Sequence, residues 1–245
     1  MKILGIDIGG SAVKGALVDT RTGKLLGERF SIETPSKADA AEMRGIIVRI
    51  AQHLKWRGPI GVGFPGVVQG TTVRTSANLH ECFIDCDLGK LLANATKTPV
   101  RVVNDADAAG IAEMRFGAGK GEKGAALMLT LGTGVGSAMF WRGVLIPNTE
   151  LGHLPIRGKS AEKFIGGAAL RLRGLTYKQW GTELGAYLRT LEKLLWPELI
   201  IIGGGVSADH AKFFKHLKTR ARVVPAQFLN EAGIVGAALW GAGES

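Results

Sequence analysis

Residues 2–19 read KILGIDIGGSAVKGALVD, and this stretch decides the class of fold that the sequence predicts. Apolar residues fill both of its halves, and the Gly9-Gly10 pair separates them. Two apolar runs joined by a short glycine turn are typical of a β-hairpin. Residues 127–141 repeat the arrangement around Gly132-Thr133-Gly134-Val135-Gly136. The sequence therefore predicts two similar halves that each contain a strand, a glycine turn and a strand.

The segments outside the two hairpins alternate between strand and helix patterns, which indicates an α/β protein. Their bounds follow from apolar periodicity and from glycine and proline signals. We predict helices at about 38–56, Ala106–Phe116 and Tyr177–Trp196, and strands at Ile60–Phe64, Val100–Val103 and Leu199–Ile202. The third helix carries an apolar stripe and ends at Pro197. That stripe comprises Trp180, Leu184, Leu188, Leu191 and Leu195.

The composition is that of a globular protein, with 46% hydrophobic and 21% charged residues in 245. The sequence contains no run of eighteen apolar residues and no leader of the signal-peptide type, so we expect a cytoplasmic protein without a membrane partner. The only cysteines are Cys82 and Cys86. Without a second pair or nearby histidines, they favour neither a disulfide framework nor a zinc site.

The formal net charge of +10 is high for an enzyme of small neutral substrates. Between Pro155 and Arg222, the sequence has thirteen Lys or Arg residues and only five Asp or Glu residues. Such a field attracts polyanions, among which nucleic acid, a membrane surface and polyphosphate all qualify. A basic surface that only keeps the protein soluble is the alternative interpretation.

The two glycine turns are candidate phosphate-binding loops, because glycine lets successive backbone N–H groups point into one concavity. In the first turn Asp7 stands at the strand end beside Gly9, Gly10 and Ser11, where it can hold Mg2+ directly or through water. Lys14 can reach the same anion. An Asp-x-Gly-Gly turn also suits an ordinary hairpin, so a purely structural role stays open. Neither turn is a Walker loop.

Two carboxylates stand where a predicted buried strand becomes a helix, in Asn104-Asp105-Ala106-Asp107. Either one can cap the helix N-terminus. A kinase also needs a carboxylate that orients and deprotonates the acceptor hydroxyl, and a strand end holds such a group rigidly. We interpret Asp105 as the base and Asp107 as the cap.

The segment Glu150-Leu151-Gly152-His153 supplies an acid and an imidazole that can hydrogen-bond the hydroxyls of a sugar. A histidine without a metal partner or a nucleophile is more often structural, so both interpretations stay open. The sequence has no G-x-S-x-G motif, which leaves hydrolysis through a serine nucleophile without support.

Taken in order, the glycine and polar motifs resemble the motif series of the ROK sugar kinases. The series comprises Asp7-Ile8-Gly9-Gly10-Ser11 with Lys14, Gly63-Phe64-Pro65-Gly66, Asn104-Asp105, Leu131-Gly132-Thr133-Gly134, Glu150-Leu151-Gly152-His153 and Gly203-Gly204-Gly205. Four segments are most similar to the polyphosphate glucokinase branch of that family. They are Arg74-Thr75-Ser76-Ala77-Asn78, residues 104–110, residues 146–150 and residues 233–238.

The resemblance implies a two-domain α/β fold of the actin-like (ribonuclease H-like) sugar kinase class, with the active site in the interdomain cleft, and a homodimer. We expect domains at 1–103 and 104–245, with a last helix at about 226–241 that packs back on the first domain. Asp105 matches the catalytic base. The positions that match hexose ligands are Asn104, Asp105, Glu150 and His153, and more loosely Asn78 and Glu162. Asp7 matches the metal position. The positions that match the phosphate motifs are Gly9, Gly10, Ser11, Lys14, Gly132, Thr133, Gly134 and Gly136. Those that match the nucleotide motif are Gly203, Gly204 and Gly205.

The implied reaction is phosphorylation of glucose to glucose 6-phosphate with inorganic polyphosphate, with ATP as a further donor and Mg2+ as cofactor. The basic excess supports the polymer as donor, since a polyanion that contacts several cations gains from counterion release. The cations closest to the sugar motif are Arg157, Lys159, Lys163, Arg171 and Arg173. An ATP-dependent glucokinase or glucomannokinase is the alternative, which Gly203-Gly204-Gly205 favours.

Two hypotheses that assign the chain to other classes of protein have less support. A DNA-binding repressor of this family needs a helix-turn-helix before Asp7, for which we see no room, so we expect no nucleic-acid partner. An actin-like assembly protein would not need Asn104, Asp105, Glu150 and His153 together.

Many ROK proteins carry a cysteine-rich zinc segment just after the histidine, whereas residues 154–170 contain no cysteine. The departure fits the polyphosphate branch and removes zinc as a support. It leaves open what holds the loop around Glu162.

Overall fold

The computed structural model describes residues 1–76 and 79–244, and its contacts divide the chain into two compact units. The first unit comprises Met1–Ala112 and the C-terminal segment from Glu231, and the second comprises Glu113–Asn230. Each unit contains its own sheet and its own apolar core. The domain boundary after residue 103 stays a prediction, because a compact unit is not by itself a segment that folds alone.

The first unit is built on a six-stranded sheet in which β1, β5 and β8 are parallel neighbours and β1 and β2 form an antiparallel hairpin. Strands β3 and β4 both pair with β2. A separate ribbon consists of β6 and β7. The strands are β1 (Lys2–Ile8), β2 (Ala12–Asp19), β3 (Lys24–Leu25), β4 (Phe30–Glu33), β5 (Ile60–Phe64), β6 (Val68–Gln69), β7 (Thr72–Val73) and β8 (Val100–Asn104).

Helices cover this sheet, and the last helix of the chain packs directly on its centre. They are α1 (Ala40–His53), α2 (Leu88–Thr96), α3 (Asp105–Phe116) and α8 (Ala232–Ala242). Glycines in the strands let α8 approach β1 and β5 closely. A Cβ atom on Gly5 would collide with the carbonyl oxygen of Ile234, and one on Gly61 with that of Ala237. The close approach therefore requires glycine at both positions.

The second unit is built on a five-stranded sheet in the order β11-β10-β9-β14-β15, with a small ribbon of β12 and β13 beside it. Its strands are β9 (Ala125–Leu131), β10 (Val135–Trp141), β11 (Val144–Ile146), β12 (Pro155–Ile156), β13 (Lys159–Ser160), β14 (Leu199–Gly203) and β15 (Arg222–Pro225). Its helices are α4 (Glu162–Ile165), α5 (Gly167–Leu172), α6 (Tyr177–Leu195) and α7 (His210–Phe213).

Residues of the sequence mark both ends of helix α6. Thr176 and Gln179 form a capping box at its start, and Trp196 adopts a left-handed conformation just before Pro197. Four residues of the predicted stripe are buried, and Leu195 is partly exposed. The apolar stripe and its end are thus confirmed.

The predicted α/β class is confirmed, and most predicted strands and helices agree with the structure to within a few residues. The final helix differs, since it starts at Ala232 after a 3-10 turn at Leu229–Glu231 instead of near residue 226. Among the helices of residues 1–76 and 79–244, none has both the length and the apolarity needed to cross a bilayer.

Candidate active site

The first glycine turn joins β1 to β2 and is held from one side by Thr34. Gly9 N–H donates to the carbonyl oxygen of Ala12 at 3.1 Å, and the carbonyl oxygen of Gly9 accepts from Thr34 Oγ1 at 2.7 Å. The Thr34 N–H donates to the carbonyl oxygen of Ser11 at 3.1 Å. Gly10 and Ser11 themselves are exposed. The turn is therefore fixed at its base and accessible at its tip.

Asp7 lies in β1 directly opposite Lys14 in β2 and Gly63 in β5. Burial raises the pKa of the Asp7 carboxyl, and the positive charges of Lys14 and Arg29 offset part of that rise. A Cβ atom on Gly233, in the first turn of α8, would lie 2.9 Å from Asp7 Cγ. The carboxylate is thus enclosed and has cations near it.

The donor set around Asp7 suits Mg2+ held largely by a substrate. Among residues 1–76 and 79–244, no group of three or more His, Cys, Asp or Glu side chains could form a metal cage. Mg2+ usually keeps several waters and binds through one or two carboxylates together with substrate phosphates. A single enclosed carboxylate beside an accessible glycine turn fits that mode of binding.

Asn104 ends β8 and caps helix α3. Its Oδ1 accepts from the backbone N–H groups of Ala106 at 2.9 Å and Asp107 at 3.0 Å, and its Nδ2 donates to the carbonyl oxygen of Gly66 at 3.0 Å. The prediction that Asp107 caps the helix is wrong, because Asp107 is the third residue of α3 and is buried within it. Asn104, the residue just before the first helical residue, supplies the oxygen that caps the helix.

Asp105 follows β8, two strands away from Asp7 in the sheet. The ladder aligns Asp7 with Gly63 and Gly63 with Val103. Neighbouring strands lie about 4.8 Å apart, so the backbones of β1 and β8 are about 10 Å apart. Gly63 stands between them, and a Cβ atom there would lie 3.7 Å from Asp105 Cα. The Asp105 Oδ1 also accepts from the N–H of Ala106 at 2.7 Å.

The second glycine turn joins β9 to β10 and is held against the start of α5. The N–H of Gly132 donates to the carbonyl oxygen of Gly134 at 3.0 Å, and the carbonyl oxygen of Gly132 accepts from Ala168 N–H at 3.0 Å. Thr133 lies at the tip and is exposed. Gly136 lies inside β10, opposite Thr130, and not in the turn itself.

The third glycine segment, Gly203-Gly204-Gly205, lies at the end of β14 against β9. Gly204 has φ of 80°, and a Cβ atom there would lie 2.6 Å from both N and O of Leu131. Its carbonyl oxygen accepts from the N–H and the Oγ of Ser207 at 3.0 and 2.8 Å. Leu131 directly precedes Gly132, so the second and third glycine segments are neighbours in this unit.

Glu150 precedes the 3-10 turn Leu151–His153, which buried residues hold in place. Ser137 Oγ donates to the carbonyl oxygen of Thr149 at 2.6 Å and accepts from the N–H of Leu151 at 3.0 Å. The Tyr187 hydroxyl donates to the carbonyl oxygen of Leu151 at 2.8 Å. Ser137 and Tyr187 are buried. The backbone on both sides of Glu150 is therefore fixed.

Glu150, His153 and Glu162 form a cluster beside the second glycine turn. His153 Nδ1 lies 3.4 Å from Glu150 Oε2. Burial raises the pKa of Glu150, while His153 lowers it and the charge of Glu162 raises it. A Cβ atom on Gly134 would lie 2.7 Å from Glu162 Oε2. Two carboxylates and an imidazole thus meet at one place and can accept and donate several hydroxyl hydrogen bonds.

The structure therefore groups the predicted residues into two sets, one in each unit. The first contains Asp7, Gly9, Gly10, Ser11, Lys14, Asn104 and Asp105, and the second contains Gly132, Thr133, Gly134, Gly136, Glu150, His153, Glu162, Gly203, Gly204 and Gly205. Asn78 lies outside the described residues. The roles assigned to these residues stay predictions.

Sequence reasoning missed the supports of the Glu150 segment, which are Ser137, Thr149 and Tyr187. One signal was present: Tyr187 lies among leucines on the buried side of α6, and a buried tyrosine hydroxyl usually has a hydrogen-bond partner. The sequence did not say which backbone group that partner would be.

The profile of the ROK family matches residues 3–168 of the chain. This chain belongs to the ROK family. A ROK relative, the polyphosphate glucokinase of Mycobacterium tuberculosis, is 43% identical over 236 residues, which cover 96% of this chain and 89% of that protein. The family prediction is confirmed.

Solved structures of ROK proteins agree with this assignment. The crystal structure of an inorganic polyphosphate/ATP-glucomannokinase from Arthrobacter sp. strain KM has a TM-score of 0.94 and 43% identity, and covers 98% of each chain. A ROK family glucokinase from Streptomyces griseus, in complex with glucose and AMPPNP, has a TM-score of 0.82 and 25% identity over 97% of this chain and 98% of that chain. The chain has the two-domain, actin-like sugar kinase fold of the ROK family.

Proposed function

We propose that this chain is a polyphosphate–glucose phosphotransferase, which makes glucose 6-phosphate from glucose and inorganic polyphosphate and uses ATP as a further donor. The observation that carries the proposal is the 43% identity, over 96% of the chain, to a polyphosphate glucokinase. The geometry supports it, because glycine turns and carboxylates stand at the ends of β1, β8 and β9.

Asp105 is the base in this proposal. Phosphoryl transfer passes through a loose transition state that asks the protein for positioning and charge stabilisation. Asp105 orients the attacking hydroxyl of the sugar and accepts its proton as the bond to phosphorus forms. Its place at the end of β8 limits its movement, since the preceding residue is hydrogen-bonded on both sides.

The acceptor is bound by Asn104, Glu150, His153 and Glu162, with Asn78 as a further candidate. An amide nitrogen has two N–H donors, and Asn104 directs one of them to Gly66. The second donor is left for a sugar hydroxyl. The carboxylate oxygens of Glu150 and Glu162 accept hydrogen bonds from sugar hydroxyls, and His153, which is 55% exposed, donates or accepts at the rim.

The donor is bound by backbone N–H groups of the two glycine turns and by Lys14. Asp7 holds Mg2+ directly or through water, and Mg2+ when bound neutralises charge on the phosphates. The role of Lys14 is to add a second positive charge on the same side of β1 and β2. These groups place the phosphoryl group and need not change their protonation state during the reaction.

The cations near the sugar motif differ in how far they are available for a polyphosphate chain. Arg173 makes a bidentate ion pair with Glu183, and Lys163 lies 3.7 Å from Glu162. Lys159 and Arg171 are exposed and form no ion pair with any residue that the structure describes. We therefore propose that Lys159 and Arg171 contact the polymer.

An ATP-dependent glucokinase or a glucomannokinase is the second candidate. The neighbouring second and third glycine segments favour it, because together they offer a turn for phosphates beside a turn for a nucleoside. The similarity to a glucokinase that binds AMPPNP supports the same view. Under this hypothesis polyphosphate is a poor phosphoryl donor.

The two candidates are distinguished by donor preference and salt dependence. Initial rates of sugar 6-phosphate formation are measured for glucose and mannose with polyphosphate and with ATP, at about 50 and 200 mM salt. We expect polyphosphate to be used at least as well as ATP, with a KM that rises more steeply with salt. Activity with ATP alone, or a polyphosphate KM that ignores salt, contradicts the proposal and supports the ATP-dependent enzyme.

The family resemblance also supports a homodimer in the cytoplasm. Light scattering coupled to size-exclusion chromatography tests the dimer, which would have twice the mass of the 25.9 kDa chain. A mass of one chain at micromolar concentration contradicts it.

A further inference from the structure

Helix α4 carries Glu162 at its first position and is only four residues long. So short a helix has no stability of its own and depends on its contacts. The segment 154–170 contains no cysteine, and the described residues offer no metal cage. Other contacts must therefore hold Glu162 against Gly134.

The N-terminal side of α4 is tied to the ribbon of β12 and β13. The N–H of Ala161 donates to the carbonyl oxygen of Leu154 at 3.0 Å, and Ala161 and Ile165 are buried. These contacts fix where α4 begins. At its other end Ile165 is buried as well, whereas Phe164 is only partly buried.

A pocket of about 250 Å3 borders that other end. Its lining includes Leu154, Phe164, Ile165 and Tyr187, so it lies beside the contact between α4 and α6. A helix that borders open space has fewer packing contacts than one in a close-packed core. Polar contacts at Phe164 thus matter more for its position.

The side chain of Arg173 makes those contacts. Its Nη1 donates to the carbonyl oxygen of Phe164 at 3.2 Å and to Glu183 Oε2 at 2.6 Å, and its Nη2 donates to Glu183 Oε1 at 3.1 Å. The guanidinium carbon is 5.5 Å from the centre of the Phe164 ring. One planar cation thus joins α4 to α6.

Two further groups reinforce the contact. Arg157 lies 5.7 Å from the centre of the same Phe164 ring and 4.0 Å from Glu183 Oε1. The hydrogen bonds from Arg173 lower the pKa of Glu183, so this carboxylate stays ionised near neutral pH. Arg173 and Glu183 are 32% and 26% exposed, which shields the bidentate pair from part of the solvent.

We propose that Arg173 is a positioning residue for the acceptor site, which holds α4 so that Glu162 stays beside Gly134 and Glu150. This inference rests on the proposed function, in which Glu162 binds the sugar. Arg173 acts through Phe164 and does not touch substrate. A lysine cannot replace it fully, because an ammonium group lacks the planar fork that serves a carboxylate and a carbonyl oxygen together.

The test compares Arg173→Ala and Arg173→Lys with Arg220→Ala. Arg220 is a matched control, because its Nη2 donates to the carbonyl oxygen of Pro197 at 2.7 Å and its guanidinium lies 4.9 Å from the Trp196 ring. We expect Arg173→Ala to raise the KM for glucose about five-fold or more, with the donor KM unchanged and with Arg173→Lys intermediate. Arg220→Ala leaves the KM for glucose at the wild-type value.

A double-mutant cycle with Glu162→Gln separates positioning from a general loss of structure. If Arg173 acts through Glu162, Arg173→Ala has little further effect on the glucose KM in the Glu162→Gln background. Additive effects overturn the inference. An unchanged glucose KM in Arg173→Ala, in an enzyme that phosphorylates glucose, overturns it as well.

Hydrogen exchange gives a readout that does not depend on the reaction. The N–H groups of Phe164 and Ile165 donate to the carbonyl oxygen of Ala161, and that of Gly166 to Glu162. These amides should exchange faster in Arg173→Ala than in Arg220→Ala. Equal exchange in the two variants overturns the inference. Failure of the proposed function would appear differently, as a wild-type protein that phosphorylates glucose with neither donor.

Discussion

The carboxylate of Glu162 lies directly against Gly134: a Cβ atom built on Gly134 would fall 2.7 Å from Glu162 Oε2. The second glycine turn therefore lies directly against the cluster of Glu150, His153 and Glu162. A methyl group added at Gly134 displaces a side-chain end, and the backbone can stay where it is, because no positive φ is required at Gly134.

Gly134→Ala should weaken glucose binding by pushing the Glu162 carboxylate away from the sugar. Loss of one hydrogen bond of about 1 kcal/mol raises the Kd about five-fold. Gly132→Ala is the matched control, since no atom beyond its chain neighbours lies within 4 Å of a Cβ atom at Gly132. Calorimetry with glucose measures both. Equal glucose affinity in the two variants would mean that Glu162 does not bind the sugar.

Asp105→Asn should lower turnover by a factor of at least about 10², because the amide keeps the shape of the side chain and cannot accept the proton. Most of the glucose affinity should remain. Asp107→Asn serves as the comparison, since Asp107 is buried within α3. Near wild-type turnover in Asp105→Asn, with Asp107→Asn inactive, would transfer the role of base to Asp107.

Asp7→Asn should abolish phosphoryl transfer and yet raise the Tm at pH 7. Burial raises the pKa of Asp7 in the folded state. Its contribution to stability is therefore fully present below the unfolded pKa and is lost as the pH rises through the folded pKa. The neutral amide avoids that loss, so the gain in Tm should shrink as the pH falls towards about 4.

Asp19→Asn is the control of opposite sign, because the backbone N–H of Arg21 lowers the pKa of Asp19. Stability from Asp19 is present above its unfolded pKa and is lost as the pH falls through its folded pKa. Thermal scans of both variants across this pH range, without and with Mg2+ in the presence of polyphosphate, make the measurement. A Tm for Asp7→Asn that rises with Mg2+ as much as that of the wild type would remove Asp7 from the metal site.

Asn104→Ala should lower the free energy of unfolding by at least about 2 kcal/mol, since it removes the helix cap and leaves the Gly66 carbonyl oxygen without its donor. Asn104→Ser keeps a capping oxygen and should cost less. Urea unfolding measures both variants. Equal losses would show that the cap contributes nothing beyond the bond to Gly66.

Glu162→Gln should lower the pKa of Glu150, because the charge of Glu162 is one of the causes that raise it. Carboxyl carbon NMR titration of Glu150 reads this directly. Glu122→Gln is a control, since Glu122 is paired with Arg222 and is not among the causes of the Glu150 shift. An unchanged titration of Glu150 in Glu162→Gln would contradict the interaction between these two carboxylates.

The strands of the two hairpins, three further strands and the long helices could be predicted because residues near their ends mark their limits. Residues 60–64 are an apolar run between Pro59 and Pro65, and α6 starts at a capping box and stops before Pro197. Several shorter elements were not predicted, among them the ribbon of β12 and β13 and helix α4. These two strands and this helix are two to four residues long, too short for any periodicity to appear.

The site residues could be named from the sequence, and their contacts could not. Asn104, Asp105 and Asp107 are all good capping residues within four positions, so propensity alone did not identify the cap. The bonds from Arg173 to Glu183 and from Ser137 to Thr149 each join a loop residue to a helix or strand ten or more residues away. Such pairs leave no local pattern, because the fold alone brings them together.

Ladder hydrogen bonds through β5 set the spacing between the strand that carries Asp7 and the strand that Asp105 follows. A substitution that thins the core of the first unit therefore reduces the number of folded molecules without changing the spacing of their two carboxylates. Each surviving molecule works at full rate. In a cell, such sequence variation would act on the abundance of the protein and on its turnover by proteases, while the specific activity of the purified enzyme stays constant.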